Sequence, residues 1–188
     1  SSEMYGRNIK KISLSTPKKP LNPYGQAKKK SFNLVKNYRK KYKMNNYNAI
    51  LFNTESFLRK KNFLIPKICL AAINAYKFNK KTILNNILVS REWNWCEEQC
   101  KLLLEFLKKP PQDFILSNGK SYSIKEMLEF AFGYFKIDYK NYIIVKNKFL
   151  SPYEVKFKKS DFKACLKSNN IKVKRSNIFG KKLIYKMI

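Results

Sequence analysis

The sequence predicts an α/β fold with a partly parallel sheet, on three observations. Short apolar runs alternate along the chain with longer segments in which apolar residues recur at helical spacing. The runs are three to seven residues long, the length of buried strands. Ser123-Ile124-Lys125-Glu126 places a capping box at the start of one helical pattern, and Asn118-Gly119 places a turn just before it. With 188 residues, 44% hydrophobic and 15% aromatic, the chain has the material for a packed core and room for one domain to one and a half.

In order, Ser1-Ser2-Glu3-Met4-Tyr5-Gly6 is short, polar and closed by a Gly, and residues 7–23 carry Pro17, Pro20 and Pro23 in an extended loop. A helix is predicted over 24–42 from Tyr24, Ala27, Phe32, Val35 and Tyr38. Residues 47–52 form a buried strand that ends in Asn53-Thr54-Glu55-Ser56. A helix over 62–77 follows, with Ile65, Ile68, Cys69, Ala72 and Tyr76 on one side. A strand over 83–89 leads to Arg91-Glu92-Trp93, and a helix over 95–107 is stopped by Pro110-Pro111. Strand 114–116, helix 123–135, strand 142–145 and a short helix over 161–167 complete the pattern. The tail from Ile171 supports no assignment, and no internal repeat is present.

The net charge of +29 raises a nucleic-acid role. Arg occurs only at positions 7, 39, 59, 91 and 175, however, and the remaining cations are Lys spread over the whole length. Base recognition favours the planar Arg fork, so the charge reads as solvated surface and argues against a nucleic-acid partner. No run of about 18 apolar residues is present to span a membrane. Cys69, Cys96, Cys100 and Cys165 are too scattered for a disulfide framework, and without any His a zinc site lacks ligands. They read as reduced core cysteines of a cytoplasmic protein, with no metal site.

Before Glu92 the chain holds two acids, Glu3 and Glu55. Each has two readings, a capping or salt-bridging carboxylate among lysines, or a group kept for chemistry. Tyr24 and Lys28 are four residues apart and share one helix face. An ammonium beside a phenol favours the phenolate, so Tyr24 could serve as an acid or base; chance pairing in a chain rich in Tyr and Lys is the plain alternative. With the Ser1 hydroxyl and Glu3, the pair makes a candidate acid/base set.

The ordered segments Ser1-Ser2-Glu3-Met4-Tyr5-Gly6 and Asn22-Pro23-Tyr24-Gly25-Gln26-Ala27-Lys28 resemble the extended short-chain dehydrogenase/reductase family. Ile50-Leu51-Phe52-Asn53-Thr54-Glu55-Ser56 with Arg59 resembles the I-L-F-N-H-E-S-P-R-R motif of GDP-mannose 4,6-dehydratases. Arg91-Glu92-Trp93 resembles their R-D-W, Asp113 to Gly119 followed by Ser123 their D-F-V-I-A-T-G and helix start, and Pro152-Tyr153-Glu154-Val155 their R-P-T-E-V. The order holds from residue 1 to about residue 165.

The resemblance implies a partial Rossmann-like (NAD(P)-binding) sheet with helices, plus a small α/β substrate-binding region. Residues 1–80 would carry the cofactor side and 81–188 most of the nucleotide-sugar side. It implies conversion of GDP-mannose to its 4-keto-6-deoxy form by transient hydride transfer to NADP, in a homo-oligomer, dimer or tetramer. Catalytic roles would fall to Ser1, Glu3, Tyr24 and Lys28, cofactor contacts to Tyr24, Lys28 and Arg59, and substrate contacts to Asn53 and Arg91. A related nucleotide-sugar epimerase or dehydratase, and a non-catalytic basic binding protein, are the alternatives. Thr54, Leu58, Lys60 and Ser151 depart from the family pattern, which bears on the substrate pocket. The five glycines are dispersed at positions 6, 25, 119, 133 and 180, so the family's glycine-rich phosphate loop is not among these residues. It is expected upstream of Ser1, with this chain as a carboxy-terminal portion.

Overall fold

A computed structural model of the chain describes residues 1–6, 11–146, 159–172 and 178–188. The Pro152–Val155 motif and Ser151 lie outside the described residues. A 3-10 turn, Ser2–Met4, opens the chain. Helix α1, Pro23–Tyr42, has Asn22 as N-cap, Pro at its first position and three cations in its last turn, each favourable at that end. Lys43 closes it in the left-handed region at φ 53°. Strands β1 (Asn48–Leu51) and β2 (Asn53–Glu55) follow, separated by Phe52.

Helix α2, Leu64–Phe78, is the most buried helix in sequence character, with Ile65, Ile68, Cys69, Ala71, Ala72 and Ala75 all turned inward. Strands β3 (Thr82–Leu84), β4 (Ser90–Arg91) and β5 (Trp93–Trp95) lead into α3, Cys96–Leu107. Strands β6 (Asp113–Leu116) and β7 (Tyr122–Ser123) precede α4, Ile124–Tyr134, whose capping box forms as the sequence predicts. Strand β8 (Ile143–Val145) and helices α5 (Phe162–Ser168) and α6 (Lys181–Met187) complete the described elements.

Three strand pairings are parallel, β1 with β6, β2 with β5 and β3 with β8, and β4–β7 is antiparallel. The strands thus form two-stranded pieces rather than one continuous sheet. The strand expected over 47–52 is observed as β1, which pairs with β6; beyond Phe52 the segment expected to end it forms β2, which pairs with β5. The strand expected over 83–89 is confined to 82–84, and the unassigned tail supplies α6.

Two apolar cores result. One gathers α2, α4, α6, Trp93 and Trp95; the other gathers Met4, Tyr5, Phe32, β1, β6, Phe106 and Phe162. Each draws on residues from both sides of position 80. In the second core the rings of Phe106 and Phe114 stack at 4.2 Å, and Asp113 accepts from Arg39 of α1 at 2.5 Å and from Asn48 of β1 at 2.9 Å. That carboxylate fastens α1 to the β1–β6 pair. Among the described residues no helix is long and apolar enough to cross a membrane.

Candidate active site

The beginning of α1 is pressed against the 3-10 turn, and glycine permits it. A Cβ on Gly25 would overlap the Glu3 carbonyl oxygen and sit 2.9 Å from Pro20 Cβ. Asn22 joins the two pieces: its side-chain carbonyl accepts from Gly25 N–H at 2.7 Å, and its amide donates to the Glu3 carboxylate at 3.3 Å. Ser1 Oγ accepts from Glu3 N–H at 3.2 Å and so caps the turn. On the adjoining face of α1 the Lys28 ammonium lies 5.5 Å from the Tyr24 ring centroid, as i, i+4 spacing dictates.

These residues border a cavity of about 600 Å³ whose other wall is the β1–β2 segment. Ser1, Glu3, Tyr24, Lys28, Asn53 and Arg59 all line it. The sequence-predicted catalytic and cofactor residues therefore share one cleft. Arg91 lines a second cavity of about 330 Å³ with Lys67, Asn85 and Asn86, and Asn53 borders both. Arg91 also donates to the Ser90 carbonyl at 2.9 Å.

Behind the first cleft lies a buried charge. Glu55 is 2% exposed, and burial pushes its carboxyl up to about 7 against the opposing pull of Arg59. Its Oε2 stands 3.6 Å from Arg59 Nε, an ion pair without a hydrogen bond. Of its two readings, the salt-bridging one is the geometry observed. The Cys69 thiol nearby is pushed up to about 12, by burial first and then by Glu55.

Three residues near these cavities had no assigned part in the sequence reading. Asn22 was legible as an Asn-Pro helix start, but its hold on Glu3 is a tertiary contact. Phe63 lies under the Arg59 guanidinium, 3.6 Å from ring centroid to Cζ; nothing in the sequence pairs the two. Glu92 is fully buried and accepts from the Ser117 hydroxyl, Gly119 N–H at 2.9 Å, and both the N–H and hydroxyl of Ser160. It ties the strand end beside Arg91 to the end of β6, and its place in the Arg91-Glu92-Trp93 segment was its signal in the sequence.

The cysteine expectation needs correction at two positions. Cys69 and Cys165 are buried free thiols, but Cys96 is half-buried and Cys100 exposed. Both lie in the first half of α3, with Gln99, Leu102 and Phe106 turned to the interior instead. Burial pushes the Cys96 thiol up, and the neighbouring Cys100 adds to the rise.

A family model described as GDP-mannose 4,6 dehydratase matches residues 1–172. GDP-mannose 4,6 dehydratase 1 of Arabidopsis thaliana is 32% identical over 164 residues, covering 86% of this chain and 45% of its own length. The Caenorhabditis elegans GDP-mannose 4,6 dehydratase 2 is 35% identical over 137 residues, 71% of this chain and 36% of its own. The chain thus spans less than half the length of these curated relatives. In fold it is similar to DesIV, a dTDP-glucose 4,6-dehydratase from Streptomyces venezuelae crystallised with NAD, with a TM-score of 0.82 at 15% identity over 99% of this chain and 57% of that one. RMD from Pseudomonas aeruginosa, complexed with NADPH, gives 0.81 at 15% identity, over 100% and 63%. The α/β architecture is thereby a partial Rossmann-like fold. The sequence match over nine-tenths of the chain settles the narrower question: this chain belongs to the GDP-mannose 4,6-dehydratase family.

Proposed function

We propose that the protein of which this chain forms the catalytic portion dehydrates GDP-mannose to its 4-keto-6-deoxy form. The observation that carries the reading is the single cleft bordered by Ser1, Glu3, Tyr24, Lys28, Asn53 and Arg59. It places a hydroxyl, a carboxylate and a Tyr–Lys pair around one space, the groups an oxidation–elimination–reduction sequence requires.

The cleft fits a nicotinamide dinucleotide: Arg59 and Lys28 line it, a guanidinium and an ammonium suited to its phosphates and ribose. When bound there, NADP would supply the acceptor and later the donor of the hydride, held by Tyr24, Lys28 and Arg59. Tyr24 takes the proton of the sugar C4 hydroxyl, with the Lys28 cation beside it. Oxidation at C4 makes the C5 proton acidic, and Glu3 removes it, after which water leaves from C6. Ser1 places a hydroxyl beside Glu3 to orient the sugar. Asn53, bordering both cavities, and Arg91 in the second hold the nucleotide-sugar, Arg91 as a planar fork on diphosphate oxygens. Residues 1–80 serve mainly the cofactor and 81–188 mainly the sugar nucleotide, a division of roles that the two cores need not follow.

A second copy of the protein is a further expected partner, in a dimer or tetramer. Leu34, Tyr38 and Tyr42 are exposed at i, i+4 and i+8 along α1, a ridge suited to packing on another helix. The four free thiols fit a cytoplasmic enzyme.

The test is GDP-mannose and NADP in deuterium oxide, followed by NMR. The 4-keto-6-deoxy product forms with deuterium at C5. Tyr24→Phe lowers turnover by about 10³ and Glu3→Gln by about 10² to 10⁴. Unchanged turnover in Tyr24→Phe would sink the assignment.

A further inference from the structure

Arg59 is held in an unusual way. On one side lies Glu55, with a side chain only 3% exposed against 34% for Arg59 itself. On its face lies the Phe63 ring, 3.6 Å from the guanidinium carbon. The backbone that carries Arg59 is a turn, fixed by Arg59 N–H to the Ser56 carbonyl at 3.1 Å and Phe63 N–H to the Lys60 carbonyl at 3.1 Å. The guanidinium thus has a carboxylate against its Nε edge, an aromatic ring beneath it and the cleft beside it.

We propose that Glu55 and Phe63 are positioning residues that hold the Arg59 guanidinium as an oriented fork for a phosphate-class anion in the cleft. The inference rests on the dinucleotide reading above for the identity of that anion. The physical case is one of side-chain freedom. A lysine or an unsupported arginine loses several rotatable bonds when it grips an anion. An arginine already fixed at Nε and on its face keeps its terminal nitrogens for a bidentate contact at little further cost. Glu55 sits on the buried side and the anion on the wetter side, where water screens the repulsion between them. Leu58 stands beside Arg59, leaving it the lone guanidinium of this segment, so its orientation carries the contact.

Orientation then depends on the charge of Glu55. The other groups that bear on it are the Cys69 thiol from α2 and, across the β2–β5 pair, Trp95, whose ring carries the Lys186 ammonium of α6 at 5.1 Å. Arg59 is the one cation in ion-pair contact with Glu55 among the described residues.

The test follows the Arg59 Nε–H resonance by NMR while inorganic sulfate, whose charge is fixed between pH 6 and 8, is titrated into the chain. Arg39 Nε–H reports the general attraction of a highly cationic protein for sulfate. Site affinity at pH 8 is expected to fall about tenfold in Glu55→Gln and about threefold in Phe63→Leu, an exposed position where folding is retained. Between pH 8 and 6 the wild type should weaken by a similar factor, and Glu55→Gln should not change. Equal or tighter sulfate binding in both variants, or no response at Arg59 beyond that at Arg39, overturns the proposal. A parallel NAD titration, made on the protein with the phosphate loop expected upstream of Ser1 in place, separates the two readings. Sulfate behaving as expected without NAD binding leaves the fork and removes the dinucleotide assignment. NAD binding that ignores both variants does the reverse.

Discussion

At the scale of the residue, Glu55 governs the response to acid. The chain has no His, and Glu55 is held at about 7 by burial. Its folded value stands above the unfolded one of 4.5, so the neutral form is the one the fold favours. The stability it confers is complete below about pH 4.5 and is lost as pH rises through 7. The loss is about 3 kcal/mol at 1.36 kcal/mol per unit. Denaturant unfolding at pH 5 and pH 8 should therefore show the protein less stable at pH 8. Glu55→Gln should remove most of that slope. A slope that persists in the variant would assign it to another group. Glu3 shows the opposite use of a scarce carboxylate, near the surface and held by Asn22 beside Tyr24 rather than buried.

At the scale of the element, the site is a docking of α1 onto the 3-10 turn. Gly25 sits where any side chain would collide with the Glu3 carbonyl. Gly25→Ala should push the helix start away from Glu3, lowering activity at least tenfold while helix propensity itself improves. Circular dichroism that holds its helical signal while turnover falls is the expected pattern. The far end of α1 is fixed by Arg39 on Asp113, a pair with side chains 17% and 15% exposed. Asp113→Ala takes one acceptor from that guanidinium and one from the Asn48 amide, which keep the Asn46 and Phe32 carbonyls, and should cost about 1–3 kcal/mol in unfolding experiments. Breaking an exposed pair such as Lys101–Glu97 should change stability far less, because water screens it.

At the scale of the whole molecule, 41 cations against 12 anions make self-repulsion a general term. Added salt screens it, so the melting temperature should rise between 10 mM and 200 mM sodium chloride. A fall over that range would mean that specific ion pairs outweigh the net charge. Packing opposes the repulsion: Phe106→Ala removes one of two stacked rings at a fully buried site and should cost about 3–5 kcal/mol.

Much of this organisation was legible in the chain because it is local. Helical periodicity marked α1 through α4 to within about two residues, and the Ser123–Glu126 box and Asn22-Pro23 start marked two of their ends, since capping satisfies backbone groups only three residues away. The Tyr24–Lys28 face follows from i, i+4 spacing alone. The tertiary structure decided what depends on partners distant in sequence. It made a second strand of Asn53–Glu55 just beyond the one expected over 47–52, because β1 finds β6 and β2 finds β5 across more than 35 intervening residues. It gathered Asn53 and Arg59 to the cleft of Ser1 and Tyr24, and placed Arg91 in the neighbouring one. It also chose between the readings of Glu55, because a carboxylate's role is set by the dielectric and the charge around it, and neither is written in its neighbours along the chain.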